Sequence, residues 1–276
     1  MTRRRFPVGK TLLYVFMSLW ALTTIYPFIW VILNSFKPRG LIRSDTFSLP
    51  IGDKFTLENY VTAFKRVDIG TAYVNSIVIS GAVTVVVMVL AGLAAYAMVR
   101  YSFRLRGFLH SMIIASMMFP VFSTIIPVFR MESSWGIVNT GSIWLTRLSV
   151  VLPQIAGNLS FAIIVLMGFI RSLPVDLEEA AYLEGYNVYQ IFFRIIMPLA
   201  KPSFATVGIF TFLWSYNDLF LQMFFLRSKK FFTITRLLNE ISSQAGTNYG
   251  LMVAAVVMVV IPVLVVYIFL QNYIIK

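Results

Sequence analysis

The sequence contains no cysteine, which excludes disulfides, thiolate metal sites and cysteine nucleophiles. It contains a single histidine, His110. A metal site built on two or three histidines, or a relay through a second histidine, is therefore impossible within the chain. His110 stands at the start of an apolar run and reads as an interfacial side chain. Charge is scarce. Only 12% of the residues are Asp, Glu, Lys or Arg, about half the quarter usual for soluble domains. Acids are the rarer sign, 11 in 276 residues against 23 Lys and Arg, for a net charge of +12. Internal repeats, low-complexity tracts and a linker to a second soluble domain are also missing, so one domain over 1–276 is expected.

What fills the space is apolar: 59% of the residues are hydrophobic. They gather in six runs, Thr11–Phe36, Ala72–Val99, Gly107–Phe129, Leu148–Ile170, Ser203–Leu226 and Tyr249–Ile275. About 20 apolar residues in a helix cross the hydrocarbon core, and a lipid-facing strand would leave its backbone polar groups unpaired. The expected fold is therefore all-α: a polytopic integral membrane protein with six transmembrane helices. Pro27, Pro120, Pro127 and Pro262 fall inside the runs, where neighbouring helices can serve the freed carbonyls. The basic opening "MTRRRFPVGK" resembles a signal-peptide n-region. The run after it is too long for an h-region and has no small-residue cleavage site, so it is expected to remain as the first span.

The basic residues lie in the gaps between runs, which fits lipid headgroups better than a nucleic-acid face. With the N-terminus inside, inner segments carry 11 Lys and Arg and outer loops 12, so the whole-chain count does not orient the protein. Four basic residues precede the first span and three more lie in "RYSFRLR" (100–106). Because the first span usually dominates, both termini are expected on the cytoplasmic side of the cell membrane.

The stretch "LPVDLEEAAYLEGYNVYQIFFRIIMPLAKP", residues 173–202, holds four of the eleven acids. Pro174 suits a first helical turn, and Asp176, Glu178 and Glu179 complement the dipole of the helix that follows. Gly185 can take the positive φ that stops it. Asn187 and Gln190, three apart, can form a capping box for a second helix. The first helix is acidic, slim at Ala180 and Ala181, and carries no base. A surface helix built for anionic lipid favours Lys and Arg, so the partner expected here is a protein.

Glu179-Ala180-Ala181, three residues, Gly185, nine residues, Ile195, one residue, then Met197-Pro198 resembles the EAA loop of ABC importer permeases, with Met197 where leucine is usual. "YPFIWVILNSFKP", "GLAAYAMVRYSFRLRG", "LPQIAGNLSFAIIVLMGFIRSLPVDLEEAA" and "YGLMVAAVVMVVIPVLVVYIFLQNY" extend the resemblance over nearly the whole chain, to the carbohydrate, maltose-type branch and its shorter six-span subunit. There are two departures. The family's glycine-rich tail has no counterpart before Lys276, and "GNLSF" (157–161) replaces a stretch that often holds proline.

The resemblance implies a bacterial permease subunit of an ATP-driven importer of a sugar or oligosaccharide. Residues 171–202 become the cytoplasmic coupling loop between spans four and five. Leu177, Glu178, Glu179, Ala180, Ala181, Gly185 and Tyr186 are its ATPase-coupling residues. The implied partners are a second related permease, two ATPase subunits and an extracytoplasmic sugar-binding protein, and ATP and Mg are expected on the ATPase subunits. "VGKT" (8–11) ends like a phosphate loop, but the position of the first glycine is Arg4, so the chain itself is expected to bind no cofactor and no metal.

Asp218 is the only acid within a run. A carboxylate at mid-span is disfavoured by roughly 2.5–3.5 kcal/mol on insertion scales, so it is expected to face protein or water. Trp214 lies four residues before it on the same helical face, and Asn217 is adjacent. Indole, carboxylate and amide suit a sugar on a substrate path; the bland alternative is a structural hydrogen bond to a neighbouring span. Tyr216 and Gln222 are weaker candidates. Two rival classes remain: an ion-coupled secondary transporter, which six spans without an internal repeat disfavour, and a membrane enzyme, which the lack of clustered carboxylates disfavours.

Overall fold

The computed structural model describes residues 8–66, 68–245 and 248–274. The basic residues Arg3, Arg4 and Arg5, and Ile275 and Lys276, lie outside the described residues. Among the described residues there is no strand. In chain order the helices are α1 Val8–Ser35, α2 Leu41–Ser44, α3 Glu58–Arg66, α4 Ile69–Arg100, α5 Arg106–Ser116, α6 Val121–Ser134, α7 Ile143–Ser172, α8 Asp176–Leu183, α9 Val188–Ile191, α10 Met197–Leu199, α11 Lys201–Asn217, α12 Phe220–Phe225, α13 Ile234–Ala245 and α14 Tyr249–Ile274. A π-helical turn, Phe192–Ile196, joins α9 to α10.

Among the described residues three helices are each long and apolar enough to cross a membrane: Gly9–Ser35, Ile69–Arg100 and Ile143–Ser172. Two bent pairs raise the number to as many as five. α14 adds the apolar stretch Tyr249–Val265. The third apolar run is two helices, α5 and α6, bent by 105°. The break is at Pro120, which caps α6 in an extended conformation (φ −67°, ψ 124°) and disfavours helix in the residue before it. Pro127 stays inside α6, so only one of the two prolines breaks the run. The fifth run is also divided. α11 stops at Asn217, Asp218 is extended (ψ 103°), and α12 restarts at Phe220. Helix α7 continues through Gly157–Phe161 with Pro153 inside it.

Contacts divide the chain into two compact units, the described parts of 1–67 with 240–261, and of 68–239 with 262–276. In the first, Asn59 Nδ2 donates to the Ser35 carbonyl (2.9 Å) and the Lys37 carbonyl (2.8 Å), serving acceptors that the end of α1 leaves open. The Lys37 ammonium is buried and donates to the carbonyls of Asp45 and Thr46 at 3.1 and 2.8 Å.

In the second unit α4, α7 and α11 pack on one another. Ile79, Val83, Val87, Ala91 and Ala95 of α4 are all fully buried. Their spacing of four keeps them on one ridge of the helix. Lipid tails are as apolar as leucine, so association of spans rests on close packing and polar ties. Gly92 shows this: a Cβ there would lie 2.8 Å from Phe204 and 2.9 Å from Phe192. Gly81, on the same helix, has open space around it. Gly92→Ala is therefore expected to lower the thermal stability of the purified protein by about 1–3 kcal/mol through overpacking. Gly81→Ala is expected to leave it unchanged or raise it by about 0.5–1 kcal/mol. Thermal denaturation of both variants in detergent checks the difference in sign.

Candidate functional site

Helix α8 begins two residues after Pro174, with Asp176, Glu178 and Glu179 in its first turn, where acids meet the positive end of the dipole. It ends in a Schellman motif. The Gly185 N–H donates to the Tyr182 carbonyl and the Tyr186 N–H to the Ala181 carbonyl, both at 3.0 Å. Gly185 has φ +86°, a conformation glycine adopts without a Cβ penalty. Asn187 and Gln190 then form a reciprocal capping box at 2.8 and 2.9 Å. The chain thus makes two short helical arms about one glycine.

The seven coupling candidates do not share one face. Glu178 and Ala181 are buried. Leu177, Glu179, Ala180 and Gly185 are exposed, and Tyr186 is half-buried beneath the Arg194 guanidinium, 5.8 Å from its ring. The outward side is completed by Leu183, 91% exposed, which sequence reasoning did not single out. Glu178 turns into its own chain. Its Oε1 accepts from Arg100 Nε at 2.5 Å and its Oε2 from the Tyr96 hydroxyl at 2.7 Å. Arg100 Nη2 also donates to the Leu173 carbonyl at 2.9 Å. Tyr182 shares a 3.0 Å hydrogen bond with Tyr101; that bond, with partial burial, pushes its phenol above the ordinary tyrosine value.

The second group of candidates lies where α11 breaks. Asp218 Oδ1 accepts from the Leu221 N–H at 3.1 Å, and Oδ2 from Gln154 Nε2 at 2.9 Å. One oxygen therefore caps the restart at α12, and the other ties it to α7. Gln154 continues the chain of bonds: its Oε1 accepts from Ser215 Oγ at 2.6 Å, and the Ser215 carbonyl accepts from Gln222 Nε2 at 3.1 Å. The Gln222 Oε1 accepts from Thr233 Oγ1. Asn158 Nδ2 donates to the Gln154 carbonyl at 2.7 Å. Tyr216 is buried and its hydroxyl takes no part in these bonds.

Beside the network is a cavity of about 490 Å³ lined by Gln154, Asn158, Trp214, Asn217 and Asp218. Trp214 is 47% exposed, its ring held edge-on by Phe161 at 4.9 Å. Asn217 commits its Nδ2 to the Leu213 carbonyl at 2.8 Å. The three predicted path residues are thus brought together. Asp218 is occupied by structural bonds through both oxygens, as the bland alternative requires. Gln154 and Asn158 were not foreseen. The available signal was two amide side chains four apart in a mostly apolar run. No group of three or more metal-capable side chains occurs among the described residues.

Residues 88–276 match the family model described as binding-protein-dependent transport system inner membrane component. The chain is similar to the diacetylchitobiose uptake system permease protein NgcG of Streptomyces coelicolor, 34% identical over 261 residues, covering 94% of this chain and 84% of that one. It is 31% identical to the trehalose transport system permease protein SugB of Mycobacterium tuberculosis, covering 91% and 89%. A crystal structure of a bacterial ABC transporter involved in the import of the acidic polysaccharide alginate shares the fold, with a TM-score of 0.83 at 24% identity and 99% of both chains covered.

The left-handed conformation at Gly185 sets a direct test of the turn. A β-branched residue there costs about 1–2 kcal/mol, whereas asparagine tolerates the same conformation. Gly185→Val is expected to lose protection of the Tyr186 amide in hydrogen exchange, and Gly185→Asn to keep most of it.

Proposed function

The chain belongs to the family of binding-protein-dependent transport system inner membrane components, and we propose that it serves there as a permease subunit carrying a sugar or oligosaccharide into the cytoplasm. It is a multi-pass membrane protein and a transport component rather than an enzyme. ATP hydrolysis, with ATP and Mg, belongs to separate ATPase subunits. The observation that carries this reading is α8: an acidic helix held from behind by its own chain, with Leu177, Glu179, Ala180 and Leu183 turned outward.

Six spans follow if α1, α4, the α5–α6 pair, α7, the α11 segment and α14 each cross once, within one permease domain over 1–276. The termini and residues 171–202 then all lie on the cytoplasmic side of the cell membrane. A second, related permease would complete the pathway, two ATPase subunits would grip one coupling loop each, and an extracytoplasmic binding protein would deliver the sugar. The exposed residues of α8, with Gly185 and Tyr186, form the docking surface. Closure of the ATPases moves the loops and alternates access to a central cavity. Reversing a 1:99 population takes about 5.5 kcal/mol, which nucleotide binding must supply. Trp214 and the free carbonyl side of Asn217 line the substrate path, where the indole face stacks on ring CH groups. Asp218 keeps the path in shape.

In proteoliposomes holding the assembled importer, sugar uptake is expected to require internal ATP and to persist when ion gradients are collapsed. Glu179→Lys should lower uptake by about tenfold or more, the equivalent of about 1.4 kcal/mol of docking free energy, while membrane insertion is unchanged. Uptake without ATP that vanishes with the ion gradient would instead identify a secondary transporter. Undiminished uptake in Glu179→Lys would remove the coupling role from α8.

A further inference from the structure

Helix α4 carries three residues at four-residue spacing, Gly92, Tyr96 and Arg100, which fall on one face. Each meets the 173–204 segment. Phe192 and Phe204 lie over Gly92, the Tyr96 hydroxyl and the Arg100 guanidinium both reach Glu178, and Arg100 also holds the Leu173 carbonyl. The Tyr96 ring packs on Phe192 at 5.6 Å, so the same stripe receives α8 before the Gly185 turn and the π-helical turn after it. One residue past α4, Tyr101 adds the bond to Tyr182.

We propose that Glu178 is a positioning residue that locks the coupling helix onto α4, so that motion received by α8 is delivered to α4 and the spans packed on it. This rests on α8 being the ATPase-docking helix. The contacts of Glu178 give it a role different from its neighbour Glu179. Glu178 is 4% exposed and both its carboxylate oxygens are taken, so it is not offered to a partner. Removing one member of a buried ion pair leaves the other charge uncompensated. The pair therefore resists any sliding of α8 along α4, and the two move together. α4 in turn packs on both α7 and α11, which carry the Gln154 to Asp218 network. The route from the docking helix to the cavity thus runs through α4 as well as through the direct chain connection into α11.

Two readouts test the lock in the assembled importer. In the first, Glu178→Gln, Tyr96→Phe and Glu179→Lys are compared for retention of the ATPase on purification and for sugar moved per ATP hydrolysed. Glu178→Gln and Tyr96→Phe should retain the ATPase, with sugar per ATP lowered roughly two- to thirtyfold, the range by which substitutions along a coupling route alter it. Glu179→Lys should lose the ATPase. Wild-type sugar per ATP in Glu178→Gln, or loss of the ATPase equal to that of Glu179→Lys, would overturn the proposal. In the second, the natural absence of cysteine allows spin labels at Leu90→Cys and Glu184→Cys, both exposed positions, the second at the residue that follows α8. The distance between them should stay constant between nucleotide-free and ATP-bound states, and should broaden when Glu178→Gln is added. A distance that changes with nucleotide in the otherwise wild-type chain would show that α8 and α4 do not move as one. Should the ATPase fail to bind the wild-type chain at all, the coupling role of α8 fails, and the label distance alone still decides whether the lock exists.

Discussion

One carboxylate organises the face of this protein that we propose docks on an ATPase. Glu178 accepts from Arg100 and Tyr96, and through that pair an eight-residue helix is fixed to the end of a 32-residue span. An isolated helix of two turns is marginal in water. α8 holds its place because its inner side is bonded to α4, its last turn is closed by Gly185, and a capping box starts the next arm. Its outer side is then free to be built for another protein. That Glu178 is buried and Glu179 exposed follows from the helical period, about 100° per residue, once one of them is anchored.

The same economy appears where the fifth apolar run breaks. A helix that stops within the bilayer exposes unpaired backbone groups, tolerated only where protein or a cavity serves them. Here Asp218 serves the restart of α12, Gln154 serves Asp218, and Ser215 and Gln222 extend the chain of bonds. The polar groups needed to mend the break leave a cavity edged by amides and by an exposed indole. A cavity edged by amides and an indole thus arises beside a structural repair, and the acid that stood out in the sequence is part of the repair.

What was legible in the sequence was local. Gly185, Asn187 and Gln190 announce their turn and cap through rules that span three residues, and the structure shows both. The apolar runs mark their helices because a continuous run of that length has few other uses. Pro120 and Pro127 could not be ranked from the sequence, because a proline breaks a helix only where its neighbours do not serve the freed carbonyl; the 105° bend falls at Pro120 alone. The inward turn of Glu178 was hidden for a different reason: its partners lie 78 and 82 residues away. Gln154 was likewise hidden, since its meaning depends on Asp218, 64 residues further on.

The central claim is that α8 has an inner face spoken for by its own chain and an outer face gripped by a nucleotide-driven subunit. The most direct measurement places a photo-crosslinking side chain at Leu183, 91% exposed on α8, in the assembled importer in a native-like bilayer. The account predicts a crosslink to the ATPase subunit. Crosslinks to lipid alone, with the ATPase present and bound elsewhere on the complex, would contradict it.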